Sequence, residues 1–186
     1  FANGYPTDCP HREKNGWTGD ASLAAEMGMF NFDNTAAYEK WIFDIADEQQ
    51  PDGNVAAIIP TSGWGYQWGN GPAWDSALLT IPWALYIYKG DIQIIERAYD
   101  SMKLYVDYVT SRSNGHLVSH GLGDWVPAKS KVPAAVTSSA YYYLDALIVA
   151  RSAELLGRAD DAGNYAALAE RIKKAFNEKY YEGNGR

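Results

Sequence analysis

The residues best suited to chemistry are crowded into one short stretch near the start of the sequence, TDCPHREKNGWTGDAS. It contains three carboxylic acids, Asp8, Glu13 and Asp20, together with Arg12 and Trp17. An indole has a large apolar face and a polar N–H, so it can stack on the C–H face of a sugar whose hydroxyls pair with the charged groups. Hydrolysis of a glycosidic bond also needs two carboxyl groups, one as proton donor and one as base or nucleophile. The stretch therefore favours a carbohydrate-active site.

Neighbouring residues leave the state and placement of these acids open. Arg12 and Lys14 flank Glu13, and positive neighbours favour an ionised carboxyl. A role for Glu13 as proton donor therefore requires Trp17 to shield it from water. Asp20 begins a helical pattern and is equally suited to act as an N-cap. The spacing allows the acids to share a pocket, but spacing within a loop does not fix the distance between carboxyl groups.

Two later loops contain the same kinds of residue. They read PTSGWGYQWGNGPAWD and SNGHLVSHGLGDWVPAKS. Their notable residues are Trp64, Tyr66, Trp68, Asn70, Trp74 and Asp75 in the first, and His116, His120, Asp124 and Trp125 in the second. Together the three loops hold five of the seven tryptophans, and loops longer than about 12–15 residues are usually functional or disordered. Bracing of the second loop is an equally good interpretation of Trp64, Trp74 and Asp75.

Helical periodicity predicts the elements that position these loops. The predicted helices cover residues 20–30, 35–50, 73–88, 91–111, 137–157 and 160–180. Pro82 lies inside the third helix, where we expect a kink or a late start. The first, third and fifth helices are the more apolar set, which predicts that they form an inner layer. Trp41 and Trp83 stand at helical spacing and are expected in the core.

The lengths of the connections predict the topology. Short links follow the first, third and fifth helices, whereas the long links cover residues 1–19, 51–72 and 112–136. Short links join antiparallel helices into hairpins, so all three long links should lie at one end of the bundle. The predicted fold class is all-α, with helical hairpins forming about half of an (α/α)6 barrel or toroid. Residues 1–186 are predicted to be a single partial domain.

Composition excludes several classes of partner. A net charge of −7 and a pI near 4.9 argue against nucleic acid, and no apolar run reaches the roughly 18 residues of a membrane span. Cys9 is the only cysteine, so no internal disulfide can form. His116 and His120 lie among glycines, and Cys9 and His11 have no second cluster, so no metal and no cofactor are predicted. The opening FANGYPTDCP and the closing YYEGNGR suggest a segment of a longer protein, and the compartment stays open.

The motif DCPHREKNGWTGD resembles the signature of the bacterial α-L-rhamnosidases, inverting glycoside hydrolases with an (α/α)6 catalytic barrel. GNGPAWDSALLTIPWALY and GLGDWVP are also similar to stretches of that family. The three matches occur in the family's order over residues 7–127. The resemblance implies hydrolysis of terminal α-L-rhamnosyl residues with inversion, in a rhamnose-containing oligosaccharide or glycoside.

The resemblance also implies roles for individual residues. Glu13, four positions before Trp17, corresponds to the general acid. The residues that shape the rhamnose subsite correspond to Asp8, Arg12, Trp17 and Asp20, and the aromatic rim adds Trp68, Trp74, Asp124 and Trp125. The family's general base is a glutamate from the second half of the barrel. The sequence is therefore expected to be the N-terminal half, to need the rest of its parent chain, and to have little or no activity alone.

Two alternatives remain. One is another (α/α)6 carbohydrate enzyme, such as a trehalase-like or glucoamylase-like hydrolase or a polysaccharide lyase, which fits the composition of the rim but not the motif. The other is a non-catalytic sugar-binding or structural helical module.

Overall fold

The fold is all-α, as predicted. The structure is a computed structural model that describes residues 4–9, 11–181 and 183. Its helices are α1 (Thr18–Asn31), α2 (Thr35–Glu48), α3 (Pro72–Asp75), α4 (Ala77–Lys89), α5 (Ile92–Ser111), α6 (Ala134–Leu155) and α7 (Ala159–Tyr180). Among the described residues β-structure is limited to two isolated bridges, Trp17 with Ile58 and Asn114 with Leu117. None of the helices in the described part is long and apolar enough to cross a membrane.

The predicted third helix is two helices, so that prediction was wrong. The interruption falls at Ser76, between α3 and α4, and not at Pro82, which is buried inside α4. The Ser76 hydroxyl lies within hydrogen-bond distance of the Pro72 carbonyl and of Asp145 Oδ2 on α6, the latter at 2.6 Å. A contact made 69 residues along the chain thus fixes the junction, and local periodicity cannot reveal it.

The helices pack around one core. α4 contacts α1, α2, α5 and α6, and α7 packs against α6. The core contains the fully buried aromatic side chains of Trp41, Tyr99, Tyr105 and Tyr142. Trp83 is only partly buried and packs against this core. The contacts of α4 with α1 and α6 agree with the predicted inner set of helices, with α3 and α4 together in place of the single third helix.

The three long connections meet at one end of the bundle. The first and second are joined by backbone hydrogen bonds from Thr18 to Ala57 and from Ile59 to Gly16, both 2.8 Å long. A Cβ atom at Gly16 would lie 1.9 Å from the Ile59 carbonyl oxygen, so this approach requires glycine. The second and third connections also touch, at Gly71 and Gly121. The connections therefore gather as the sequence predicts.

Candidate active site

The three connections enclose a cleft of about 430 Å³. Its lining consists of Asp8, Cys9, Arg12, Glu13, Trp17, Asp20, Trp64, Trp68, Trp74, Leu122 and Trp125. Eight of the nine residues predicted from the sequence are in this list. The exception is Asp124, which borders a neighbouring depression beside Trp74 and Trp125. Its carboxylate accepts a hydrogen bond from the Val132 backbone N–H at 3.2 Å, within its own loop.

Three residues of the cleft lie outside the site predicted from the sequence. Cys9 follows Asp8 in the first motif, and Leu122 lies in GLGDWVP beside Asp124. Trp64 belongs to the aromatic second loop, where bracing of the loop was one of its two interpretations, and it is not among the predicted site residues. Its place near Trp68 in the aromatic sequence GWGYQWG was the feature that could have indicated a role in the cleft. A single leucine such as Leu122 has no such feature.

Tryptophan rings form both walls of the cleft. On one wall Trp64 and Trp68 stack with centroids 5.4 Å apart, and Trp17 meets Trp68 edge-on at 5.5 Å. On the other wall Trp74 and Trp125 meet almost at a right angle at 6.4 Å. Trp64, Trp68 and Trp125 leave about half of their surface open to solvent. Exposed aromatic faces around a concave space are suited to a ligand with an apolar face.

Glu13 is held by two hydrogen-bond donors at the edge of the cleft. Its Oε1 accepts from Arg12 Nη2 at 3.0 Å, and its Oε2 accepts from Trp17 Nε1 at 3.3 Å. The Glu13 side chain remains 43% exposed. Trp17 thus contacts the carboxyl as expected, but through its N–H, and it does not close the group off from water in this chain.

Asp8 and Asp20 are in contrasting surroundings. Burial opposes the charge on Asp8, but hydrogen bonds from Cys9 and from the Asn15 N–H, the latter 2.9 Å long, outweigh it and lower its pKa. Partial burial in the cleft wall, followed by the charges of Asp8 and Glu13, raises the pKa of Asp20 even though much of that side chain is exposed. The N-cap interpretation of Asp20 is wrong, because α1 begins at Thr18 with Trp17 in the N-cap position.

The first connection also brings three potential metal ligands together. One ligand atom each of Asp8, Cys9 and Glu13 lie within 4.8 Å of one another. Arg12 Nη2 points at the same place, since it donates to Cys9 Sγ at 3.6 Å as well as to Glu13. The guanidinium already supplies positive charge where a metal ion would sit, so this cluster does not fit a metal centre.

Two acids are buried in the core: Asp75, for which the sequence allowed a role in bracing the second loop, and Asp145, which the sequence did not single out. Asp75 and Asp145 are 1% and 0% exposed, and each has one oxygen without a hydrogen-bond partner among the described residues. The other oxygen of Asp75 accepts from the Gly71 N–H, and that of Asp145 contacts Ser76, both at 2.6 Å. Burial raises the pKa of both carboxyls well above the ordinary value. The Asp145 contact joins the C-terminal end of α3, which carries Trp74, to α6, whereas Asp75 bonds within its own turn.

Comparison with known proteins gives consistent matches. The family model described as the bacterial alpha-L-rhamnosidase 6 hairpin glycosidase domain matches residues 2–186. An alpha-L-rhamnosidase of Streptomyces avermitilis is 36% identical over 184 residues, which are 97% of this chain and 17% of that protein. One from Formosa agariphila is 30% identical and is covered over 20% of its length. The chain therefore spans about a fifth of the length of these relatives.

Solved structures agree with the sequence matches. The structure of alpha-L-rhamnosidase from Dictyoglumus thermophilum has a TM-score of 0.90 at 37% identity, covering 97% of this chain and 21% of that one. The Streptomyces avermitilis enzyme complexed with L-rhamnose has a TM-score of 0.88 at 36% identity, covering 95% of this chain and 17% of that one. The chain belongs to the bacterial alpha-L-rhamnosidase six-hairpin glycosidase family, and it is a fragment relative to those proteins.

Proposed function

We propose that the protein containing this chain hydrolyses terminal α-L-rhamnosyl residues with inversion of configuration, and that Glu13 is the general acid. The observation that carries the proposal is the convergence of Asp8, Glu13 and Asp20 with five tryptophans on one cleft. Membership of the rhamnosidase family supports the substrate class. A relative in this family has been solved in complex with L-rhamnose.

The surroundings of Asp8 argue against it both as the proton donor and as the general base. Asp8 is the acid held ionised by backbone hydrogen bonds, so it is suited to accept hydrogen bonds from a sugar and not to give up a proton. An oxygen of Asp8 lies within 4.8 Å of one of Glu13. The two carboxyls of an inverting pair stand about 6.5–9.5 Å apart to admit a water molecule. Asp8 is therefore too close to Glu13 to be its general base.

The remaining residues of the cleft are proposed to hold the rhamnose ring. Arg12 and Asp20 offer a donor and an acceptor to hydroxyls, and Trp17 forms the wall beside Glu13. The other aromatic contacts are assigned to Trp68, Trp74 and Trp125. Asp124 is assigned a different role, because its carboxylate is engaged with Val132: it shapes the loop that presents Trp125.

The general base is proposed to come from hairpins of the parent protein outside this chain, which we take to be the N-terminal half of the barrel. The family name counts six hairpins, and the described residues form three. Leu23, Met27 and Phe30, at helical spacing on α1, are 77%, 55% and 78% exposed. Such an apolar stripe is suited to packing against further helices. We expect the 186-residue chain alone to have little or no activity on rhamnosides.

The role of Glu13 can be tested with leaving groups that differ in their need for a proton. In the complete protein, Glu13→Gln should lower kcat/KM for methyl α-L-rhamnoside by about 10²–10⁴-fold. Dinitrophenyl rhamnoside, whose leaving group departs without protonation, should be much less affected. Glu96→Gln, at an exposed position on α5, is the matched control. NMR of the first-formed sugar should show the inverted anomer.

Other outcomes would contradict specific parts of the proposal. An equal loss on both substrates would remove Glu13 from the acid role, and a leaving-group dependence in Asp20→Asn instead would transfer that role to Asp20. Unsaturated products would indicate a lyase. Binding of rhamnose by calorimetry without hydrolysis in the complete protein would indicate a sugar-binding module.

A further inference from the structure

A second cavity adjoins the cleft on the side of Trp68. Its volume is about 330 Å³, and Trp68 and Leu122 line both spaces. Glu13 belongs to the same flank, because it accepts a hydrogen bond from Trp17, whose ring meets that of Trp68 edge-on. Trp74 and Trp125 form the other pair of rings in the cleft. The second cavity therefore adjoins the cleft at Trp68, the ring that also contacts Trp17 beside Glu13.

The lining of this cavity carries charges of both signs. Asp52 and Arg112 both border it, and neither forms an ion pair with a described residue. Burial and then the charge of Arg112 lower the pKa of His120, so its imidazole is neutral near neutral pH and offers one donor and one acceptor. Asp52 would repel an anionic ligand and Arg112 a cationic one. A neutral ligand with many hydroxyls satisfies both groups.

The cavity is also held in shape before any ligand binds. Asn70 Nδ2 donates to Asn54 Oδ1 at 2.9 Å, and Asn54 Nδ2 donates to the Tyr66 carbonyl at 3.3 Å. The Arg112 guanidinium lies over the Tyr108 ring, 5.5 Å from its centroid. Groups fixed in this way lose little conformational entropy on binding, which favours affinity. Amides and one guanidinium beside aromatic rings form a lining suited to a sugar.

We propose that this cavity is a second sugar subsite, which takes the neutral sugar ring joined to rhamnose through the bond that is cleaved. The assignment rests on the proposed function. In glycoside hydrolysis the general acid protonates the bridging oxygen as its bond to the sugar carbon breaks, so the departing ring lies on the acid's side. Trp68, which lines the cavity, contacts Trp17, the residue that holds Glu13, so the cavity is assigned to that side. It would select substrates by the hydroxyls of the leaving group, with Arg112 as a specificity-determining residue.

The test compares two substrates whose leaving groups both need a proton but differ in size. The complete protein is assayed with methyl α-L-rhamnoside and with a rhamnosyl-glucose disaccharide. Arg112→Ala should lower the ratio of kcat/KM for the disaccharide to that for the methyl glycoside about tenfold, as expected for loss of a hydrogen bond from a charged group. Gln67→Ala, at an exposed position on the same lining, should lower the ratio several-fold. Arg151→Ala, exposed on α6, is the control and should not change the ratio.

Each outcome decides one of two questions. If the wild-type protein hydrolyses neither rhamnoside, the proposed function is overturned. If the wild type is active but Arg112→Ala and Gln67→Ala leave the ratio at its wild-type value, the second subsite is overturned and the proposed function stands. An equal loss of kcat/KM on both substrates also leaves the ratio unchanged, so it too overturns the second subsite. A lowered ratio in Arg112→Ala alone or in both variants supports the subsite.

Discussion

Replacing Asp145 with asparagine is expected to stabilise the folded protein, increasingly so as the pH rises above about 4. The Ser76 hydroxyl has a single proton, yet it lies within hydrogen-bond distance of two oxygens, the Pro72 carbonyl and Asp145 Oδ2. With an ionised Asp145 the two acceptors share that one proton in a three-centre bond, whereas a protonated Asp145 donates to Ser76 and leaves the Ser76 proton for Pro72. The protonated form agrees with burial raising the pKa of Asp145 well above its ordinary value.

The sign and size of the effect follow from proton linkage. A carboxyl whose pKa is raised on folding binds its proton more tightly in the folded state, so its stabilisation is complete below the unfolded value of 3.8. That stabilisation is lost as the pH rises towards the folded value, by about 1.4 kcal/mol for each pH unit. Asparagine cannot ionise, and its amide can donate to Ser76 in the same way. The free energy of unfolding of Asp145→Asn, minus that of the wild type, should therefore grow by about 1.4 kcal/mol for each pH unit above 3.8.

This difference is measured by urea unfolding of the complete protein, monitored by tryptophan fluorescence at several pH values between about 4 and 5. Trp74 lies on α3, next to the buried pair, and reports on their surroundings. Asp47→Asn, at an exposed position on α2, is the matched control and should show no such trend. A difference between Asp145→Asn and wild type that stays constant or shrinks with rising pH would refute the reasoning, because it would mean that Asp145 is ionised in the folded protein.

Two further predictions concern stability. Gly16→Ala should lower the free energy of unfolding by about 3 kcal/mol, because the new Cβ would lie 1.9 Å from the Ile59 carbonyl oxygen. In α7 no atom would lie within 4 Å of a Cβ added at Gly163, so Gly163→Ala should raise the free energy of unfolding by about 0.5–1 kcal/mol. Similar urea midpoints for the two variants would contradict the close approach of Gly16 to Ile59. The hydrogen bond from Lys103 lowers the pKa of Asp161, so its stabilisation is present above 3.8 and is lost as the pH falls through the folded value. Asp161→Asn should flatten the acid limb of the stability curve, opposite in sign to Asp145→Asn, and an acid limb like that of the wild type would count against the Lys103 contact.

The fold was predictable because its main determinants are local. The alternation of short and long connections identifies hairpins with all long connections at one end, and apolar composition identifies the inner helices. The division between α3 and α4 was not predictable. It depends on Ser76 meeting Asp145, 69 residues away, and such a tertiary contact overrides the periodicity of the segment.

Most of the candidate site was predictable for a related reason. The carboxylates and tryptophans are concentrated in the connections, and the topology brings those connections together. Side-chain direction within a connection has no sequence signal, which is why Asp124 is placed beside the cleft and not in it. Asp145 was missed because it occupies a core-facing position of an apolar helix. One acid in such a stretch does not show which partner makes its burial tolerable.

Under the proposed function, the contacts of Glu13 separate what this chain provides for catalysis from what its surroundings provide. Trp17 and Arg12 fix the direction of the carboxyl by occupying both of its oxygens. They do not exclude water, since the Glu13 side chain is 43% exposed and that of Arg12 is 72% exposed. A glycosidase acid works in a site where water is largely excluded until the proton is transferred. Under the proposed function, the sugar ring stacked between the tryptophan walls and the remaining hairpins of the parent protein must provide that exclusion. Orientation of the acid and exclusion of water are therefore provided by different parts of the protein, and these three hairpins provide only the orientation.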